Sequence, residues 1–256
     1  MIEQKPTAHR DPKEFGAMDL DTHLRDERLK RRYVTTMFDI LAPGYDSFTR
    51  LFSFGMDQGW KDRLVEEGVR RTVPSPRILD LACGTGDLCT RLSRRTSSPQ
   101  AIGFDLSPLM LAEATRRNEP RIQYAICDIL QLALPAESVD LVSIGYGIRN
   151  THEPDRALRE IARVLRPGGI LLNLDFYRPA NPLWRELYLG YLSATGNAAG
   201  WLWHREPSTY GYIAASIRRF LTMNEFEQAL TRAGLKVEWR KSHLFGGLGL
   251  HVARKM

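Results

Sequence analysis

The feature that most constrains this fold is a change of rhythm near residue 78, where short apolar runs begin to alternate with helical segments. Five of these runs are predicted as strands, at residues 78–81, 100–105, 122–127, 139–144 and 170–176. Residues 107–117 and 154–165 have the spacing of amphipathic helices, and Pro167-Gly168-Gly169 is predicted to end the second helix. Apolar strands that alternate with amphipathic helices indicate a parallel sheet covered on both faces. The fold class is therefore predicted to be α/β and doubly wound.

Helical segments are predicted before this core. Residues 1–20 are polar and aperiodic and are expected to form a flexible tail. Residues 21–73 are expected to form an N-terminal helical lid over the core. Within the lid, Pro43-Gly44 is predicted to end a first helix, and Gly55 and Gly59 are predicted to interrupt a second.

A second helical region is predicted after strand five. Residues 179–212 are rich in Trp, Tyr, Leu and Gly and fit no strand rhythm, which indicates a helical, aromatic insertion. The capping-box pair Thr222 and Glu225 then predicts the start of another helix. Two final strands near residues 235–240 and 248–253 complete a mostly parallel seven-stranded sheet. Residues 21–256 are accordingly predicted to be a single domain.

Composition limits the classes to which this chain can belong. Hydrophobic residues are 43% of its 256 residues and charged residues 26%, as in globular proteins with a sizeable core. The formal net charge of +6 comes without a nucleic-acid recognition motif, so no nucleic-acid partner is predicted. No apolar run could span a membrane and the N-terminus lacks an apolar signal region, so a cytoplasmic protein is expected. The three cysteines have neither disulfide nor paired metal-ligand spacing, and no metal site is predicted.

A glycine-bearing turn directly follows the first strand and opens a helix. It consists of Asp80-Leu-Ala-Cys-Gly84-Thr-Gly86, and its two glycines allow a tight bend and the close approach of a ligand. A dinucleotide-binding fingerprint would require a third glycine where Cys89 stands. The alternative is the loop that binds S-adenosylmethionine (SAM), in which an acidic residue ends the first strand, as Asp80 does here. That carboxylate would either orient the turn or accept from the ammonium group of the ligand.

Two further acidic residues follow the next two strands. Asp105 ends the second strand, where a carboxylate can accept hydrogen bonds from both hydroxyl groups of a ribose. Asp128 follows the third strand, where it can accept from an adenine amino group while Ile129 covers the ring. Because ligands bind at the carboxyl ends of parallel strands, these acids beside the glycine turn favour a SAM site.

Longer segments around these positions resemble a known family. The stretch from Asp80 to Met110 is similar to class I SAM-dependent methyltransferases, which implies a Rossmann-like fold. Three further segments resemble the ubiquinone/menaquinone C-methyltransferase (UbiE/MenG) family, namely Tyr45-Asp46 to Trp60-Lys61, Gly147-Ile-Arg149-Asn150 to Gly169, and Tyr210 to Leu221 with Gly246-Gly247. The resemblance extends from about Arg32 to Lys255. Thr49 stands where the family usually has asparagine.

The resemblance implies an enzyme that methylates a ring carbon of a demethylated prenyl quinol in quinone biosynthesis and releases S-adenosylhomocysteine. The chain leans toward the menaquinone/phylloquinone branch rather than the ubiquinone branch. The residues expected to bind the cofactor are Tyr45, Asp80, Ala82, Cys83, Gly84, Gly86, Asp105, Leu106, Met110, Asp128, Ile129 and Gly145. The residues expected near the acceptor are Thr49, Tyr146, Asn150 and His204.

Arg149 is the predicted catalytic residue. An aromatic carbon is a poor nucleophile until a ring hydroxyl loses its proton, so the site must lower the pKa of that hydroxyl or hold a base. The permanent charge of an arginine at the exit of strand four could stabilise the phenolate, and the resemblance implies that it also polarises a water. The alternative is a structural ion pair.

Other interpretations stay open. The acceptor could be another small aromatic or terpenoid metabolite, or the chain could bind SAM without transferring its methyl group. The aromatic insertion could pack against the sheet or against a partner subunit in a homodimer. It could also form an apolar wall for a polyprenyl tail at a membrane surface, and these two roles are compatible.

Overall fold

A computed structural model of the chain describes residues 26–204 and 208–256, except for the side chains of residues 27, 48, 51, 52 and 197–211. The predicted tail and the first residues of the predicted lid lie outside this description. In the described ranges the α-helices are α1 (Glu27–Leu41), α2 (Tyr45–Phe52), α3 (Met56–Val69), α4 (Asp87–Arg95), α5 (Pro108–Arg116), α6 (Pro154–Val164), α7 (Pro182–His204), α8 (Ser208–Arg219) and α9 (Met223–Arg232). Short 3-10 turns lie at Ala42–Gly44, Ile148–Asn150 and Leu244–Gly246.

The strands form one seven-stranded sheet. They are β1 (Ile78–Leu81), β2 (Ala101–Asp105), β3 (Ile122–Ile126), β4 (Val139–Gly145), β5 (Leu165–Phe176), β6 (Leu235–His243) and β7 (Leu248–Lys255). Their order is β3-β2-β1-β4-β5-β7-β6, with β1 to β5 paired in parallel and β7 antiparallel to both of its neighbours. This confirms the predicted doubly wound, mostly parallel sheet. The strand order reverses between β1 and β4, which is the switch point where such folds bind ligands.

Apolar side chains cover both faces of the sheet. Along β1, Leu79 and Leu81 pack into a cluster with residues of α6 and α9, whereas Ile78 belongs to a cluster with α3 and α4. This division follows from the alternation of side chains along a strand. The core therefore consists of two layers of helices around a sheet that is buried on both sides.

The fifth strand begins earlier than predicted. Leu165 pairs with Val139 and Ile170 pairs with Leu141, so the residues between them form an irregularity in the ladder. Gly168, with φ of +79°, supplies a left-handed conformation there at little cost. The Pro167-Gly168-Gly169 segment consequently lies inside β5, and α6 ends before it, at Val164.

The helical segments also differ in detail from the prediction. Gly55 separates α2 from α3 with φ of +76°, but Gly59 lies inside α3 and does not interrupt it. The insertion after β5 runs to Arg219, beyond the predicted end at residue 212, and its two helices α7 and α8 pack against each other. The predicted capping box is confirmed, since Thr222 and Glu225 each accept from the backbone N–H of the other. In the part of the chain that the structure describes, no helix is long and apolar enough to cross a membrane.

Candidate active site

A large cleft opens at the carboxyl ends of the parallel strands, beside the switch point. It encloses about 900 Å³ including its open mouth, which is a usual size for a small-molecule site. Three parts of the chain form its wall: helix α1 with Tyr45, the ends of β1 to β3, and the segment after β4. The lining residues from the strand ends are Ala82, Gly84, Asp105, Leu106, Ser107, Met110, Cys127, Asp128, Ile129 and Leu130. Those at the end of β4 and after it are Gly145, Tyr146, Gly147, Asn150, Thr151 and His152.

The turn after β1 is held from below by Asp80. This carboxylate is buried, accepts from the Cys89 N–H at 3.0 Å and from the Ser143 hydroxyl at 2.6 Å, and does not line the cleft. Of the two roles considered for it, the structure therefore supports orienting the turn. Both carboxylate oxygens accept hydrogen bonds from the protein, and contact of Asp80 with the ammonium group of a ligand stays a prediction.

Burial gives Asp80 an unusual protonation equilibrium. Desolvation raises its pKa to about 7, with a smaller contribution from Asp87 and Asp105, while its hydrogen bonds act in the opposite direction. The folded protein therefore binds this proton more tightly than the unfolded chain does.

The stability of the protein should consequently depend on Asp80 in a defined pH window. We expect the contribution of this group to the free energy of unfolding to be fully present below about pH 4 and to fall as the pH rises to about 7. Urea unfolding of the wild type and of Asp80→Asn at pH 5 and pH 8 measures this, because asparagine does not titrate. The free energy of unfolding of the asparagine variant, relative to that of the wild type, should be higher at pH 8 than at pH 5. A constant difference between the two proteins would show that Asp80 stays charged.

Gly86 and Cys83 act on the turn and do not reach the cleft. Gly86 has φ of +78°, and a Cβ atom there would overlap the Tyr124 hydroxyl group. Cys83 is buried, and its N–H donates to the Phe104 carbonyl at 3.0 Å. Neither residue lines the cleft, and contact of either one with the cofactor stays a prediction.

We expect Gly86→Ala to lower the free energy of unfolding by about 2 kcal/mol, because it combines a disfavoured backbone conformation with a steric overlap. Gly44→Ala is the matched control, since a Cβ atom at that position meets nothing within 4 Å and φ is not in the left-handed region. Chemical unfolding of both variants measures the difference. Equal stabilities would contradict the steric argument.

Two carboxylates face the cleft from neighbouring strand tips. Asp105 accepts from the Gly84 N–H and from the Ser107 N–H, each at 2.8 Å, and so joins the turn after β1 to the end of β2. Burial raises the pKa of Asp105, while these N–H donors act in the opposite direction. Asp128 accepts from the Leu130 N–H at 2.9 Å. The two acids are therefore fixed by backbone groups, and both line the cleft.

Helix α1 forms the roof of the cleft, which the sequence analysis did not predict residue by residue. Its lining residues are Lys30, Arg31, Val34, Thr35 and Phe38. Arg31 pairs with Asp128 at 3.0 Å, and Lys30 donates to the carbonyl of Thr151 at 2.6 Å. Burial, and then the charges of Arg149 and Arg219, lower the pKa of Lys30 to about 8. The four-residue helical spacing of these positions was the signal that could have identified this face.

Arg149 lies in the turn after β4, in a buried ion pair with Asp175 at the end of β5. Its Nη1 atom donates to the Asp175 carboxylate and to the Tyr146 carbonyl, both at 2.8 Å. Burial opposes its charge, but the neighbouring groups, with Asp175 first among them, together outweigh burial and keep the pKa of Arg149 above its ordinary value. Arg149 does not line the cleft. It lies behind Tyr146, with its guanidinium 6.0 Å from the centroid of that ring.

Tyr146 and Asn150 form the wall in front of this ion pair. Tyr146 has φ of +59° and stacks on Phe176 at 5.2 Å. Asn150 donates to the Tyr146 carbonyl at 2.9 Å and accepts from the Tyr212 hydroxyl at 3.0 Å. The strained backbone at Tyr146 is therefore held in place by Phe176 and Asn150, and such strain is common at functional sites.

Thr49 and His204 are not part of the described wall. The Thr49 hydroxyl donates to the Tyr45 carbonyl at 2.9 Å, and its side chain lies in a separate polar groove with Asp57 and Lys61. Thr49 does not line the large cleft, and its contact with the acceptor stays a prediction. His204 is the last residue of α7, and its side chain lies outside the described residues. Within the described ranges, no three His, Cys, Asp or Glu side chains come together as a metal site requires.

A model of the ubiE/COQ5 methyltransferase family matches residues 25–255, which is nearly the whole chain. The chain belongs to this family. The methyltransferase is 35% identical over 219 residues to a demethylmenaquinone methyltransferase of Thermus thermophilus. The aligned region covers 84% of this chain and 98% of the relative. The methyltransferase is 36% identical over 217 residues to a ubiquinone/menaquinone biosynthesis C-methyltransferase UbiE of Syntrophotalea carbinolica, and here the aligned region covers 83% and 89%.

Solved structures show the same fold at much lower identity. One is a geranyl diphosphate C-methyltransferase of Streptomyces coelicolor, in complex with Mg²⁺, geranyl diphosphate and S-adenosylhomocysteine. It superposes with a TM-score of 0.57 at 12% identity, over 78% of the methyltransferase and 79% of that chain. At this identity the likeness supports the class I methyltransferase fold alone.

Proposed function

We propose that the methyltransferase transfers the methyl group of SAM to a ring carbon of a prenyl quinol of the demethylmenaquinol type. The observation that carries the proposal is one cleft with two different ends. Asp105 and Asp128 occupy one end, and an aromatic wall backed by the Arg149–Asp175 pair forms the other. The acceptor class comes from the relatives, whose names specify demethylmenaquinone and ubiquinone/menaquinone methylation.

The residues at the first end fit SAM. A Cβ atom added at Gly84 would meet only Met110, at 4.0 Å, so the glycine leaves space in the cleft above the turn. Asp105 suits the two ribose hydroxyls and Asp128 the adenine amino group, with Leu106 and Ile129 as apolar cover. When bound, SAM would supply an electrophilic methyl group. The chain then has to hold the acceptor carbon in line with that methyl, which is mainly a positioning task.

The second end suits an acceptor that must lose a proton. The buried guanidinium of Arg149 lies directly behind the wall, and among the described residues its Nε atom has no hydrogen-bond partner. A cation in such a low-dielectric position stabilises a phenolate in the cleft and lowers the pKa of the ring hydroxyl. Asp175 fixes the position of that cation. Asn150, between Tyr146 and Tyr212, is placed to position the acceptor ring.

Transfer of radiolabelled methyl groups tests the proposed function. The purified enzyme is incubated with labelled SAM and with a short-tailed demethylmenaquinol, and the oxidised quinone serves as the matched control because it has no hydroxyl to ionise. We expect label in the extracted quinol and none in the quinone control. Formation of S-adenosylhomocysteine without labelled quinol, or label only in an aromatic that is not a quinol, would overturn the acceptor assignment.

A further inference from the structure

Helix α7 carries a stripe of exposed apolar side chains. Leu183, Leu187 and Tyr191 follow one another at four-residue intervals and are 73%, 61% and 49% exposed. Residues at this spacing share one face of a helix. Phe245, in the turn between β6 and β7, is 83% exposed and lies beside the stripe, with its ring 5.2 Å from that of Trp184.

Phe54 is a further exposed aromatic side chain near the start of α3. It lies two residues before that helix and is 76% exposed. The next turn of that helix places Trp60 with its ring 5.7 Å from that of His243, which ends β6. We call Phe54, Leu183, Leu187, Tyr191 and Phe245 the apolar rim.

The two phenylalanines of the rim share a costly backbone conformation. Phe54 has φ of +50° and precedes Gly55, and Phe245 has φ of +48° and precedes Gly246, with both glycines also at positive φ. A bulky residue in this region is strained, and the strain persists only where something compensates for it. Folding of the described chain leaves both rings largely exposed. Their apolar surface is therefore available for burial against something outside the chain.

The rim is continuous with the wall of the cleft. Tyr146 lines the cleft and stacks on Phe176, and Phe176 packs with Leu244 into the apolar cluster that includes Tyr188. The Trp184 Nε1 atom donates to the Leu244 carbonyl at 3.0 Å, directly before the exposed Phe245. A chain of apolar contacts thus connects the end of the cleft proposed for the acceptor with the exposed rim.

We propose that the apolar rim inserts into the surface of a lipid bilayer, so that an acceptor dissolved in the membrane reaches the cleft along this wall. The choice of a bilayer as the partner rests on the proposed function, because a prenyl quinol resides among lipids. Charge supports it as well. The exposed cations Arg50 and Lys241 each stand four residues before a rim phenylalanine, where they suit anionic headgroups. Aromatic and aliphatic side chains of this kind lie at the boundary of headgroups and acyl chains.

Co-sedimentation of the full-length protein with vesicles tests this inference. We expect binding to phosphatidylcholine vesicles that strengthens when phosphatidylglycerol is included and weakens with added salt. Leu187→Ser and Phe245→Ser should each lower the partition coefficient about tenfold, because each removes a large apolar side chain from the buried surface. Val73→Ser is the matched control, since Val73 is 51% exposed but follows the other end of α3, near Arg71, whose carbonyl accepts from Arg254.

The outcomes separate this inference from the proposed function. Failure of the wild type to bind either kind of vesicle would overturn the inference, as would a partition coefficient that falls equally in Val73→Ser. It would also be overturned if the wild type formed a dimer that Leu187→Ser dissociates, while neither of these two proteins bound vesicles. Methylation of a short-tailed, water-soluble quinol should proceed equally in the wild type, Leu187→Ser and Phe245→Ser. If that quinol is methylated without vesicle binding, only the inference fails. If vesicles bind but no quinol is methylated, the proposed function fails instead.

Discussion

Replacing Arg149 by methionine together with Asp175 by asparagine is expected to lower kcat by about 100-fold or more while the Kd of SAM changes little. The reason is that the cation behind Tyr146 is expected to stabilise the ionised acceptor, which exists only along the reaction path. The paired replacement is needed because removing Arg149 alone leaves a buried carboxylate without its partner, at a cost of about 3–5 kcal/mol of stability. Single-turnover kinetics and calorimetry with S-adenosylhomocysteine measure the two effects separately.

The pH profile distinguishes an electrostatic role of Arg149 from a purely structural one. Without the cation, the pKa of the acceptor hydroxyl should rise, so the rate of the double variant should climb at higher pH than that of the wild type. Arg149→Lys, which keeps the charge but loses the planar fork, should retain more activity than the double variant. An unchanged pH profile would mean that the Arg149–Asp175 pair only supports the structure of the turn. A loss of SAM affinity as large as the loss of kcat would mean that the pair serves cofactor binding.

Asp105→Ala is expected to raise the Kd of S-adenosylhomocysteine by about 100-fold, which corresponds to about 3 kcal/mol. The carboxylate is proposed to accept two ribose hydroxyls, and it also holds the Gly84 N–H that shapes the floor of the cleft. Its loss therefore leaves both the ligand and the turn without acceptors. Asp105→Asn keeps one carbonyl acceptor and should have an intermediate effect. Isothermal titration calorimetry measures all of these affinities.

Asp140→Ala is the control for Asp105. Asp140 lies near the start of β4, at the amino ends of the parallel strands and away from the cleft, where it accepts from the Arg77 N–H and pairs with Arg166. It is a partly buried strand carboxylate with backbone and side-chain partners, but it does not line the cleft. The Kd of S-adenosylhomocysteine should be the same in Asp140→Ala as in the wild type. A loss as large as that of Asp105→Ala would mean that general destabilisation, and not ribose binding, explains the result.

Much of the fold could be predicted because it depends on local patterns. Apolar strands that alternate with amphipathic helices specify a doubly wound sheet, and the Thr222 capping box marks the start of α9 at its observed place. The early start of β5 could not be predicted in this way. Glycine and proline after a helix normally indicate a turn, and only pairing with β4 makes Pro167-Gly168-Gly169 part of a strand.

The candidate site, like the fold, depends partly on local patterns and partly on long-range packing. The sequence alone determined where the chain can bend closely around a ligand and which acids end strands, because glycine spacing and strand ends are local properties. The tertiary structure decided which of these side chains face a cleft. It placed Asp80 beneath the turn and Asp105 in the wall, because β1 continues to Leu81 and pairs Asp80 with Gly103, whereas Asp105 is the last residue of β2. It also paired Arg149 with Asp175 and brought α1 over the cleft, because long-range packing, which no local pattern contains, sets the direction in which each side chain points.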